Sequence, residues 1–166
     1  MVRIITGPRN SGKSTRFLQL YNEAGGADVG LFSRKRLDAN NCVKGYDLIL
    51  LPAESTIPLA RVACESVFFP KEDQLLQGQF VFSLSAFKLG HTYILNQCSS
   101  QCQIQGSSLF RNQSLSSVWI DEVGKLELQG LGYASLLQHL LKRNIDLTLV
   151  IRDTYLLDIL TMYSIK

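Results

Sequence analysis

Gly7-Pro8-Arg9-Asn10-Ser11-Gly12-Lys13-Ser14 sets two glycines, a lysine and a hydroxyl at a spacing that suits a row of phosphates. Glycines allow backbone angles that turn successive N–H groups inward, so such a loop can form a concave anion nest. A helix opening near Lys13 would add its unpaired N–H groups and the positive end of its dipole. Lys13 would then reach the β- and γ-phosphates as a point charge, and the Ser14 hydroxyl would hold magnesium. The string fits the Walker A pattern GxxxxGK[ST] at every position, and the expected nucleotide-binding stretch runs from Gly7 through Thr15.

A second constellation lies far downstream. Val118-Trp119-Ile120 is an apolar run that ends in two adjacent carboxylates, Asp121 and Glu122. With a phosphate loop on the same chain, Asp121 is placed to position the magnesium ion and Glu122 to polarise the water that attacks a γ-phosphate. Strand alternation would send neighbouring acids to opposite faces, so the chain must bend there for both to reach one cleft. Without the loop, the pair would be no more than a strand ending in solvated acids.

Other charged residues admit two readings. Arg152 directly follows the apolar run Leu147 to Ile151, where it either stabilises charge on a γ-phosphate in cis or flanks a helix at the surface. Arg9 either touches phosphate or points to solvent. Arg34-Lys35-Arg36 reads first as a solvated face, although it could turn towards a nucleotide. Trp119 reads as core. Cys98 and Cys102 stand four apart on an expected helix, but neither His91 nor His139 has the spacing that would complete a zinc site. The four cysteines are expected as reduced structural thiols.

These groups need elements to hold them. Val2 to Thr6 reads as a buried strand leading into the loop, and Thr15 to Ala24 as a helix with Phe17, Leu18, Leu20 and Tyr21 inward, closed by Gly25-Gly26. Val29 to Ser33, Phe80 to Phe82, Val118 to Ile120 and Ile145 to Ile151 read as further strands. Ser83 would cap a helix reaching about Gln103; Tyr133 to Arg143 and Thr154 to Tyr163 would be two more. Residues 35–79 carry short alternating runs split by Asn40-Asn41, Pro52, Pro58 and Pro70, which predicts antiparallel hairpins attached to a main sheet. Gln105 to Ser117 reads as a polar mobile loop. Alternating strands and helices at both ends predict a three-layer α/β fold with a mostly parallel sheet. One domain over residues 1–166 is expected, with a hairpin-rich insertion at about 35–79.

Composition narrows the partners. Forty-six per cent apolar and 19% charged residues are ordinary for a globular chain, and a net charge of +3 suits an anionic ligand without requiring nucleic acid or an acidic membrane. The first residues enter an apolar strand at once, so no signal peptide is expected, and no window approaches the roughly twenty apolar residues of a membrane helix. A cytoplasmic protein is the simplest reading, with a nucleoside triphosphate as ligand, no membrane, no nucleic acid and an unidentified protein partner left open.

Asp121-Glu122-Val123-Gly124-Lys125-Leu126-Glu127-Leu128 resembles the DEIGKMEL signature of a family of small P-loop nucleoside-triphosphatases of the thermophilic and cancer-related type. Gly45-Tyr46-Asp47-Leu48 followed by Pro58-Leu59-Ala60-Arg61 is similar to the same family's GFDL…PLAR segment, and the likeness covers most of the chain. It implies a RecA-like, ASCE-type fold and magnesium-dependent hydrolysis of nucleoside triphosphates to diphosphate and phosphate, with loose base preference. It also supports Lys13, Ser14, Asp121 and Glu122 in the roles given above. Lys125 matches the signature and is either a surface lysine or a phosphate-side one, whereas Glu127 reads as structural. The sequence stops soon after its final helix, so the family's terminal strand is expected to be short or missing. Two other functions fit a phosphate loop: a kinase passing the γ-phosphate to a small molecule, and a nucleotide-dependent binding module with little turnover. An acid directly after Asp121 favours activation of water over transfer, no Arg-rich lid is evident, and the [NT]KxD base-reading motif of a GTP switch is not found.

Overall fold

The computed structural model describes residues 1–100 and 117–166. In chain order its elements are β1 (Val2–Gly7), α1 (Lys13–Glu23), β2 (Val29–Leu37), β3 (Val43–Leu51), β4 (Ser55–Val62), β5 (Gln74–Gln77), β6 (Phe80–Ser83), α2 (Leu84–Ser100), β7 (Val118–Val123), α3 (Lys125–Leu128), α4 (Ala134–Lys142), β8 (Leu147–Arg152) and α5 (Asp153–Met162). Two short 3₁₀ turns, Ala63–Phe68 and Lys71–Asp73, join β4 to β5. The expected polar loop before Ser117, together with Cys102, lies outside the described residues.

All eight strands belong to one sheet, in the order β1-β8-β7-β2-β3-β4-β6-β5. The first four are parallel to their neighbours, and every pairing from β2 outward is antiparallel. β8, in the middle of the parallel half, is covered on both faces, and Leu147 to Ile151 are all buried. The sheet order places β8 between the strand that feeds the phosphate loop and the strand that carries the acids. All four parallel strands therefore present their carboxyl ends along one edge, where open α/β sheets bind ligands.

Helices cover the two faces unequally. On one face, Phe17 and Tyr21 of α1 pack on Ile5, Ile49, Leu51, Trp119 and Val150. Trp119 meets Phe17 and Tyr21 edge-on, with ring centres 5.6 and 5.5 Å apart, and its indole N–H donates to Asp28 at 3.0 Å. Such edge contacts contribute about 0.5–1.5 kcal/mol each beyond burial, so Trp119 is a core residue whose polar edge is also satisfied. The opposite face is packed by α2, α4 and α5, through Phe87, Ile94, Leu136, Leu137, Leu140 and Ile159 among others. Ser83 caps α2 as its position suggests, its hydroxyl accepting from the Ala86 N–H at 3.0 Å.

Residues 35–79 form antiparallel hairpins attached to the main sheet, which they continue strand by strand. β2 is the seam. Val29 to Leu31 pair with β7 on one side, while the strand pairs with β3 along its length from Gly30 to Leu37 on the other. Two residues explain why the hairpins close so tightly. Gly45 runs so near β4 that a Cβ there would collide with the Ala60 carbonyl oxygen. Beside it, the buried Asp47 accepts from Arg61 Nη2 at 2.8 Å. Removing one partner of such a pair typically costs about 3–5 kcal/mol, because the other charge is left buried and alone. The Gly-Tyr-Asp-Leu and Pro-Leu-Ala-Arg segments are thus two halves of one cross-strand clasp.

Candidate active site

β1 ends at Gly7, and the chain turns through Pro8 to Gly12 before α1 begins at Lys13, two residues earlier than the apolar spacing suggests. Gly12 is the residue before the helix, with φ +81°, a left-handed conformation natural for glycine. Asn10 shares that region at φ +62°, and the Ser11 N–H donates back to Pro8 at 3.3 Å, which closes the turn. Lys13 Nζ lies over its own loop and donates to the Pro8 carbonyl at 2.5 Å. Arg9, Asn10, Ser11 and Thr15 are exposed around the same turn, and Ser14 is half-buried at the base of α1.

Both acids reach this loop through one irregularity in β7. Ile120 pairs with Leu149 and Val123 with Ile151, so Asp121 and Glu122 together oppose Val150 alone. The extra residue is accommodated by Glu122 at φ +63°, a left-handed conformation that costs a non-glycine residue about 1–3 kcal/mol. The bulge breaks the alternation that would otherwise separate the two side chains. The bend expected at the two acids is this bulge, and the strand continues past it to Val123.

The two carboxyls are then treated differently. Asp121 is buried, and its oxygens accept from the Ser14 hydroxyl and the Ser33 N–H, both at 3.3 Å. Burial above all, and then the charge of Glu122, raise its pKa from 3.8 to about 7, against the weaker pull of those two donors. Glu122 keeps an open path to solvent, yet it sits in a concavity where desolvation still pushes its pKa up. Four cations pull the other way: Lys35, Arg152, Lys13 and Arg9.

Three of those cations come from separate elements. Arg152 ends β8 and pairs in register with Gly7, so it stands between the loop and the acids, with its guanidinium 5.8 Å from the Tyr155 ring centre. It also flanks α5, as the surface reading expects. Lys35 donates to Asn10 of the loop at 3.0 Å. Its neighbours Arg34 and Arg36 turn to the opposite face and meet Asp47 at 3.9 and 3.3 Å. All three are exposed, as a solvated reading expects, but strand alternation divides them between two faces. Counting by twos from the buried Leu31 would have placed Lys35 with Ser33 on the site side. The Ser33 N–H had no such signal, because a backbone donor is invisible in side-chain type.

The signature's last acid holds the scaffold. Buried Glu127 accepts from the Gly124 N–H at 2.7 Å and the Tyr133 N–H at 2.9 Å, and Tyr163 donates to its carbonyl at 2.9 Å. The turn directly after Glu122 is thereby tied to α4 and α5. Lys125 is exposed at the start of α3.

Ser14 Oγ and Asp121 Oδ1 offer adjacent hard oxygens, with Asp121 held by long hydrogen bonds and denied water. That donor set fits a magnesium ion. Without a cation, Asp121 carries a desolvation penalty with a definite pH signature. Its folded pKa lies above the unfolded value of 3.8, so the penalty is absent below pH 4, grows as pH rises, and is complete above about 7. In metal-free buffer the protein should therefore lose stability between pH 5 and 7.5, and Asp121→Asn should reduce that loss. Denaturant unfolding at the two pH values measures both; equal pH slopes in the two proteins would show that Asp121 is not desolvated.

An NTPase family model matches residues 3–164. Among solved structures, the chain is similar to the solution structure of a human cancer-related nucleoside triphosphatase, at 20% identity and a TM-score of 0.59, covering 90% of this chain and 74% of that one. It is also similar to the crystal structure of THEP1 from the hyperthermophile Aquifex aeolicus, at 18% identity and a TM-score of 0.62, with 92% and 77% covered. At these identities the two structures speak for the fold. No curated protein matches the chain.

Proposed function

Since the chain belongs to the NTPase family and hydrolyses nucleoside triphosphates, we propose that its reaction uses magnesium and discriminates little between bases. The observation that carries the catalytic reading is the bulge at Asp121-Glu122, which brings a water-accessible carboxyl to a phosphate loop amid four cations. The backbone N–H groups available between Arg9 and Thr15 and the Lys13 ammonium hold the phosphate chain. Ser14 and Asp121 hold the magnesium ion, which when bound offsets charge on the β- and γ-phosphates. Glu122 accepts a proton from a water molecule as that water attacks the γ-phosphorus. The bond from the γ-phosphorus to the bridging oxygen breaks, and the diphosphate leaves with the electron pair.

Arg152, Arg9 and Lys35 surround Glu122 and would face the same phosphoryl group. Their charge stabilises the oxygens that gain density in the transition state. They also lower the cost of an ionised Glu122, working against the desolvation that raises its pKa. Every group in this set addresses phosphate, metal or water, and none selects a base. That supports a loose preference.

Phosphate release from ATP, GTP, CTP and UTP, with magnesium and then with EDTA, tests the reading. Release from all four at comparable rates, lost on chelation, is expected. Release from a single nucleotide would overturn the base preference, and undiminished release in EDTA would overturn the metal requirement.

A further inference from the structure

A second concentration of positive charge lies on the hairpin half of the sheet. Arg34, Arg36 and Arg61 all turn to one carboxylate, that of Asp47, at 3.9, 3.3 and 2.8 Å. Lys44 pairs with Asp38 at 3.8 Å. The clasp needs only Asp47 and Arg61, both buried, whereas Arg34 and Arg36 are more than half exposed.

Arg36, Lys44 and Arg61 line a cavity of about 310 Å³ together with Leu37 and Phe68. Among the described residues lining it, every charged side chain is a cation. Arg61 is fixed at its base by Asp47 and by the Tyr46 and Ala60 carbonyls, at 2.9 and 2.7 Å. Its guanidinium lies 4.9 Å from the centre of the Phe68 ring. Phe68 is 57% exposed and Leu37 54% exposed, so the wall beside these cations is apolar and open. This cavity is separate from the phosphate loop: Arg36 points away from the sheet face on which Lys35 meets Asn10.

We propose that the cavity binds a small phosphorylated ligand with a flat apolar part, of the class of nucleoside monophosphates. The phosphate lies between Arg36 and Lys44, whose charge-assisted hydrogen bonds reach its oxygens. The flat part covers the Phe68 ring and Leu37, which removes their apolar surface from water. The volume is near the lower limit for small-ligand pockets, about 300 Å³, and so suits a monophosphate better than a longer phosphate chain.

Calorimetric titration of AMP tests this in the Lys13→Ala protein, whose phosphate loop lacks its cation. One AMP should bind, and adding Arg36→Ala and Lys44→Ala should weaken it by about tenfold or more. Arg36 is more than half exposed and Lys44 is partly so, and an unchanged unfolding midpoint would show that the variant is folded. Phe68→Ala should lower the affinity for AMP but leave that for inorganic phosphate unchanged. The site is refuted if Lys13→Ala binds no AMP, if affinity is the same with Arg36 and Lys44 replaced, or if adenosine binds as tightly as AMP. None of these outcomes depends on whether the phosphate loop hydrolyses its nucleotide.

Discussion

Glu122→Gln should bind nucleoside triphosphate at least as tightly as the parent protein and hydrolyse it about 10² to 10⁴ times more slowly. Glutamine keeps the shape and length of the side chain and faces the same left-handed backbone, so the bulge at β7 persists. What it loses is the ability to take a proton from water. It also removes the negative charge on which Lys35, Arg152, Lys13 and Arg9 act, leaving that positive charge to the phosphates. The two effects point in opposite directions, and this separates the reading from simple damage. Phosphate release and equilibrium binding, measured on the same preparation, check it. Parent-like turnover would mean that another group activates the water.

Lys13→Ala should weaken triphosphate binding by about one to two orders of magnitude, the range for a lost charge-assisted hydrogen bond of about 1.5–3 kcal/mol, and should abolish measurable turnover. The lysine now donates to the Pro8 carbonyl, so it must exchange that partner for phosphate when nucleotide arrives. Its loss removes both a strap across the loop and the cation at the γ-phosphate. A change confined to the strap would appear as reduced thermal stability with turnover retained. Near-parent stability with turnover gone is the expected pattern, and surviving turnover would displace Lys13 from the catalytic set.

The two segments that form the candidate site were legible because each is local in sequence. A phosphate loop is a string of consecutive residues, and Asp121-Glu122 follows a run that reads as a strand unaided. The helix cap at Ser83, the inward faces of α1 and α4, and the core position of Trp119 were legible for the same reason. The position of Glu122 was less so. The need for a bend could be stated, but a two-against-one bulge opposite Val150 depends on which strand lies alongside, and sheet order is not written in any segment. The same holds for Asp47 and Arg61, fourteen residues apart, whose pairing depends on the β3–β4 register. Lys35 was within reach of strand periodicity but was weighed with its neighbours as a charged triplet. Periodicity divides the triplet and puts Lys35 on the face of Leu31 and Ser33; the fold adds its partner, Asn10 of the loop.

β8 lies between β1 and β7, and it also sets when the site can exist. The hairpins from β2 to β6 join strands near one another in the chain, so their loops are short and cheap to close. The site has no such shortcut. Val2 must find Leu147 and Gly7 must find Arg152 across almost the whole chain before the loop, the acids and Arg152 share a cleft. Contacts of such long range form late and slow folding. While the chain is being made, the hairpins can settle as soon as they emerge, but the catalytic edge stays open until β8 is inserted. A partly synthesised chain therefore carries the complete phosphate-loop sequence without a working site.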